Sequence, residues 1–112
     1  MYNETVGSIA IQEGKATCVI GFHRNADGQW KTYNAASASQ DGRMNTIAAL
    51  INNKSQTVDE ILGWLPKIDS FVLPGRDQRA SAVTVSRQNI DYSDIINQMM
   101  DNGKWGYLQL ED

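Results

Sequence analysis

The strongest constraint on the fold is the strict alternation of side chains in residues 16–23. The even-numbered side chains of this segment are all small or apolar, and they alternate with the odd-numbered ones. The first set is Ala16, Cys18, Ile20 and Phe22, and the second is Thr17, Val19, Gly21 and His23. A period of two sends successive side chains to opposite faces of a β-strand. Residues 16–23 are therefore predicted to form a strand with one face in the core.

Turn signals on both sides of this strand predict a three-stranded meander. The turn Glu13-Gly14-Lys15 follows the alternating pair Ile9 and Ile11, and Asn25-Ala26-Asp27-Gly28 precedes a third apolar-polar run over 30–34. Asp-Gly readily supplies the positive φ that a tight hairpin needs. Two short turns indicate antiparallel neighbours, because parallel neighbours need long crossovers.

Three later segments have the apolar periodicity of helices. They are residues 42–53, 57–65 and 92–101. Thr57 and Glu60 are spaced as a capping box at the start of the second. Asp91 is the predicted N-cap of the third, with Ile90 and Ile95 as a hydrophobic staple.

Strands are predicted at 68–73, 82–86 and 105–110, and the polar turn 74–79 is interpreted as a hairpin that joins the first two. The element order is then βββ-αα-ββ-α-β. We expect an α+β fold in which the helices pack on one face of a mostly antiparallel sheet. At 112 residues, the chain is predicted to form a single domain, 1–112.

Composition argues against three classes of protein: general nucleic-acid binders, disulfide-stabilised proteins and membrane proteins. A formal net charge of −3 argues against general nucleic-acid binding, which normally uses a basic surface. One cysteine provides no disulfide framework. No secretory signal is evident, and no apolar run approaches the roughly 20 residues that span a bilayer. We expect a cytoplasmic protein that does not bind membranes.

The chain shows no recognisable catalytic motif. His23 is the sole histidine, and Cys18 is predicted on the opposite face of the same strand, so the two do not form a nucleophilic pair. Nucleophile-elbow, phosphate-loop and dinucleotide-binding patterns are all missing. The sequence therefore predicts a protein that is not an enzyme and holds no metal or cofactor. An unusual active site around His23 and Arg24 remains the less favoured alternative.

Two segments could bind an anionic ligand such as a nucleotide. Arginines in a glycine-containing turn can converge on phosphate or carboxylate oxygens, and a loop of small hydroxyl residues before a helix can supply backbone donors. The candidates are Gly75, Arg76 and Arg79 in the turn, and Ser37, Ser39 and Arg43 in the loop 35–43. The structural alternative is a solvated turn and a simple helix cap.

Four aromatic residues on predicted strands are candidates for a protein interface or for the core: Trp30, Tyr33, Trp105 and Tyr107. The leading hypothesis is a non-enzymatic module that docks a partner protein and forms homo-oligomers. Such a module would suit an inhibitor or adaptor of the regulatory or anti-defence kind found in phages and bacteria. The alternative is a small-ligand binder that sequesters an anionic molecule through the loop 35–43 and the Arg76/Arg79 turn.

Overall fold

The computed structural model of the chain describes residues 6–37, 42–54, 57, 60, 68–74, 82–101 and 103–112. The strands are β1 (Val6–Glu13), β2 (Ala16–Arg24), β3 (Trp30–Ser37), β4 (Ser70–Val72), β5 (Ala82–Ser86) and β6 (Tyr107–Glu111). The helices that lie wholly within these residues are α1 (Gly42–Asn53) and α2 (Tyr92–Met100), and a short 3-10 helix at Arg87–Asn89 lies between β5 and α2.

The six strands form one mixed sheet in the order β3-β2-β1-β4-β6-β5. Every neighbouring pair is antiparallel except β5 and β6, which are parallel. The predicted α+β class with a mostly antiparallel sheet is confirmed. The predicted meander is confirmed as well, and its turns place Gly14 and Gly28 at φ of 60° and 82°.

The predicted hairpin between β4 and β5 is wrong. β4 pairs with β1 and β6, whereas β5 pairs only with β6. The alternating Leu108 and Leu110 are buried, so β6 is suited to a place between two strands. The 3-10 helix and α2 provide the crossover that a parallel β5–β6 pair requires. Residues 75–81 of the connection between β4 and β5 lie outside the described part of the chain.

β3 is longer than predicted. Its last three residues, 35–37, were expected to begin a loop, but they pair with residues 18–20 of β2. Alanine and serine are poor strand formers by themselves. Pairing with the nine-residue strand β2 overrides that preference, because strand propensity depends mainly on cross-strand contacts.

Both described helices pack on the same face of the sheet, and the core lies between them and the strands. The buried helix residues are Met44, Ile47, Ala48 and Ile51 of α1 and Ile95, Ile96 and Met99 of α2. They join one cluster with strand residues that include Ile9, Ile20, Phe22, Phe71 and Leu108. No described helix is both long and apolar enough to cross a bilayer.

The helix-start signals form as predicted. Asp91 caps α2, and its Oδ1 accepts the amide hydrogen of Asp94 at 3.1 Å. In the capping box, Thr57 Oγ1 accepts from the amide of Glu60 at 3.1 Å, and Glu60 Oε1 accepts from the amide of Thr57 at 3.4 Å. The rest of the predicted 57–65 helix lies outside the described residues.

Candidate functional site

The sheet face opposite the two helices carries a surface at β2 and β3 that we call the outer patch. It consists of Val19, Gly21, His23, Tyr33, Asn34 and Ala36. The alternation in β2 buries Cys18, Ile20 and Phe22 beneath the helices and sends the other parity outward. Val19 is 40% exposed there. Asn34 and Ala36 are also exposed.

A β-bulge adds an aromatic ring to this surface. Phe22 pairs with Thr32 and Gly21 pairs with Asn34, so Tyr33 has no partner on β2. Thr32 is fully buried, whereas Tyr33 is 51% exposed. Bulges re-aim side chains in this way by placing two residues opposite one. Tyr33 and Asn34 therefore reach solvent side by side.

The ring of Tyr33 lies over Gly21. A Cβ added at Gly21 would be 2.9 Å from both Cε1 and Cζ of that ring, and it would also collide with the Asn34 side-chain amide. The ring also meets His23 edge-on, with centroids 6.0 Å apart and planes at 70°. Tyr33 is thus supported from below and from one side while half of it remains accessible.

Of the other predicted interface aromatics, Tyr107 shares this face of the sheet. It pairs with Val72, which pairs with Ala10, which pairs with Val19. Tyr107 is half-buried, and its hydroxyl donates to Gln109 Oε1 at 2.6 Å. It lies three strands away from Val19, beyond the outer patch.

Trp30 is not accessible to a partner, so it leaves the set of interface candidates. Its side chain is 4% exposed, and its Nε1 donates to Asn97 Oδ1 of α2 at 2.8 Å. The guanidinium of Arg24 lies 4.4 Å from the Trp30 ring centroid and forms an ion pair with Asp101. Through this hydrogen bond and ion pair, Trp30 and Arg24 hold α2 against the sheet.

The residues of the alternative enzyme site are not brought together. His23 lies on the outer patch, whereas Arg24 lies on the helix side against Trp30. The other candidate nucleophile, Cys18, is fully buried. Burial raises the pKa of its thiol above the ordinary value, which disfavours the reactive thiolate. Within the described residues, no three His, Cys, Asp or Glu side chains are grouped to hold a metal ion.

The predicted anion site is only partly described. Ser39, Gly75, Arg76 and Arg79 lie outside the described residues, so their shared role stays a prediction. Ser37 ends β3 opposite Cys18. Arg43 lies in the first turn of α1, with its Nε 3.8 Å from Glu13 Oε1.

A second surface feature is a cleft that the sequence did not predict. It has a volume of about 170 Å³ and is lined by Val85, Ile90, Asp91, Asp94, Ile95 and Trp105; we call it the α2 cleft. Trp105, a predicted interface residue, is half-buried there and packs against the core. Asp91 was recognised from the sequence only as a cap. The cleft arises from tertiary contact between β5, the start of α2 and Trp105, which local sequence patterns do not specify.

Comparison with protein-family models, with curated proteins and with solved structures finds no match to this chain. The surface geometry of the described residues is therefore the basis for a functional proposal. Two features stand out: the outer patch with Tyr33 and the α2 cleft.

Proposed function

We propose that this chain is a non-enzymatic binding module that docks a partner protein on the outer patch. The observation that carries the proposal is Tyr33, which a bulge lifts to 51% exposure on the same sheet face as Val19, itself 40% exposed. Tyrosine is enriched in protein interfaces and among the residues that dominate their binding energy. An exposed aromatic ring and an exposed aliphatic side chain on one face of the sheet offer a partner the centre of such an interface.

The contacts that hold the Tyr33 ring favour a role in binding, because a ring exposed without a function needs no such support. Its backbone belongs to a strand that pairs with β2 over seven positions, from Arg24–Trp30 to Cys18–Ser37. Contacts with Gly21 and His23 restrict the ring before any partner arrives. A preorganised side chain loses less conformational entropy on binding, so more of its contact energy appears as affinity.

The surroundings of Cys18 and His23 also favour docking over catalysis. The thiol of Cys18 is buried and its pKa is raised. His23, the sole histidine, makes an edge contact with Tyr33 within the proposed docking surface. In this proposal, His23 serves as a supporting wall for the aromatic ring and has no catalytic task.

Site-specific photo-crosslinking in cells tests this function. A benzophenone amino acid at position 33 or 19 should form one discrete adduct with a second protein chain. Position 50 is the matched control, because Leu50 is 42% exposed on α1, on the helix side of the sheet. A discrete adduct from positions 33 and 19 but not from 50 supports the proposal. An adduct with a second copy of this chain would make the docking homo-oligomeric.

A pair of charge variants completes the test. Val19→Lys places a desolvated charge in the interface and should abolish the position-33 adduct, because an unpaired buried charge is strongly unfavourable. Leu50→Lys adds the same charge at nearly the same exposure and should preserve the adduct. Diffuse or no crosslinking from position 33, or equal effects of the two variants, would overturn docking at the outer patch.

A further inference from the structure

We propose that the α2 cleft binds the guanidinium of an arginine side chain that a protein partner inserts. This site is separate from the outer patch. It is built by β5, the start of α2 and Trp105, at the edge of the sheet farthest from β3. The proposal therefore goes beyond docking at the outer patch and stands or falls independently of it.

The lining of the α2 cleft combines an apolar wall, an aromatic ring and two carboxylates. Val85, Ile90 and Ile95 supply the wall, and Trp105 supplies the ring. Asp91 and Asp94 supply the negative charge. Asp91 uses one carboxylate oxygen to cap the amide of Asp94, which leaves its second oxygen for a ligand.

Neither carboxylate forms an ion pair within the described part of the chain, although both lie at the start of α2, where the helix dipole partly offsets their charge. The ion pairs formed there join Arg24 to Asp101, Arg43 to Glu13, and Arg87 to Asp69 and Asp112. The nearest described cation to the ring is Lys104, whose ammonium lies 5.5 Å from the Trp105 centroid. A guanidinium stacked on this indole would therefore lie near a like charge, which the two carboxylates of the cleft would have to offset.

Arginine matches this lining better than other side chains do. Its three methylenes can cover the apolar wall, its planar guanidinium can stack on the indole, and its donor fork suits carboxylate oxygens. A lysine ammonium is a more strongly hydrated point charge and does not stack. The volume of about 170 Å³ resembles a cavity of roughly 150 Å³ that holds benzene, so it suits one side chain.

The edge position of β5 explains how a partner could deliver this side chain. No described residue pairs with the side of β5 that faces away from β6. An extended partner segment can add to such an edge through backbone hydrogen bonds. Alternate side chains of that segment would lie on the helix side, next to Val83 and Val85, where the α2 cleft opens.

NMR titration with N-acetyl-arginine amide tests the site directly. The expected result is saturable shifts of the Trp105 indole NH and the Ile95 methyl groups, with a Kd on the order of millimolar for so small a ligand. The buried Trp30 indole NH should not move. N-acetyl-citrulline amide has nearly the same shape without the charge, and should bind about tenfold more weakly because it loses the cation–π and ionic contacts.

The variant Asp91→Asn/Asp94→Asn should reduce arginine binding about tenfold or more. Asparagine caps helices as well as aspartate does, so the variant should fold, which its melting temperature checks. Asp27→Asn removes a carboxylate in the β2–β3 turn and should leave arginine binding unchanged. Val19→Lys should leave it unchanged as well, which separates this site from the outer patch. Unsaturable shifts, equal binding of citrulline, or undiminished binding by the double variant would overturn the proposal.

Discussion

At the scale of single residues, Gly21 provides the space that the Tyr33 ring occupies. A Cβ there would be 2.9 Å from two ring atoms. We therefore expect Gly21→Ala to displace the Tyr33 ring and the Asn34 side chain and to lower the free energy of unfolding by about 1 kcal/mol or less, below the usual cost of core overpacking, because both side chains are exposed and can move. Denaturant titration would measure the loss, and the upfield-shifted resonances of residues beneath the ring would report its displacement.

A double-variant cycle separates this clash from any general effect on the strand. In a Tyr33→Ala background, the ring is gone and Gly21→Ala should cost less, with the collision against the Asn34 side chain remaining. The difference between the two costs is the interaction energy between positions 21 and 33. Equal costs in both backgrounds would contradict the packing described for Tyr33.

Cys18 gives a second prediction at this scale. Because burial raises the pKa of the thiol, the folded protein should react with a thiol reagent far more slowly than the unfolded chain does at pH 8. The unfolded chain ionises this thiol at a lower pH than the folded chain does. The stability that the neutral Cys18 thiol contributes is therefore complete below the pKa of the thiol in the unfolded chain, and it declines as the pH rises above that value. Rapid labelling under native conditions would show that Cys18 is accessible.

At the scale of elements, the start of α2 depends on Asp91, whose Oδ1 accepts the amide hydrogen of Asp94. Asp91→Ala should reduce the free energy of unfolding by about 0.5–2 kcal/mol, the range measured for lost caps. Asp91→Asn should stay near wild type because asparagine caps equally well. Thermal unfolding of the two variants would test this, and equal losses would show that charge matters here and capping does not.

Elements specified by neighbouring residues could be predicted from the sequence, whereas pairings between distant segments could not. The cap at Asp91 and the glycine turns at 14 and 28 are local, and all are confirmed. β4 is only three residues long, Ser-Phe-Val, and no alternation in it indicates a partner. Its pairing with β1 and β6 depends on the assembled sheet, so the predicted hairpin with β5 was wrong.

The same distinction applies to the candidate sites. Tyr33 was recognised as a possible interface residue, but the bulge that exposes it depends on how β3 aligns with β2. Trp30 belongs to the same strand, and its burial follows from α2 lying over it, with Asn97 as the hydrogen-bond acceptor. The α2 cleft needs three segments in contact, so no local pattern could indicate it.

At the scale of the whole molecule, the strands should differ in how firmly they are held. β1 pairs along eight residues with β2 and also with β4. β5 pairs along five residues on one side, and its Ala82 and Thr84 are exposed. Hydrogen exchange should therefore be slowest in β1 and β2 and fastest, among the six strands, in β5. Protection of β5 equal to that of β1 would contradict this order.

One half of the sheet, β1 to β3, is built from strands that are adjacent in sequence, and the other half, β4 to β6, comes from much later in the chain. This arrangement has a consequence for the folding rate. β1, β2 and β3 are linked by short turns, and hairpins of that kind form within about 1–10 μs. The junction between β1 and β4, in contrast, brings Gln12 to Ser70, 58 positions along the chain. Such long-range closure slows folding. The meander should therefore be a fast nucleus, and the docking of the second half onto β1 should set the overall folding rate.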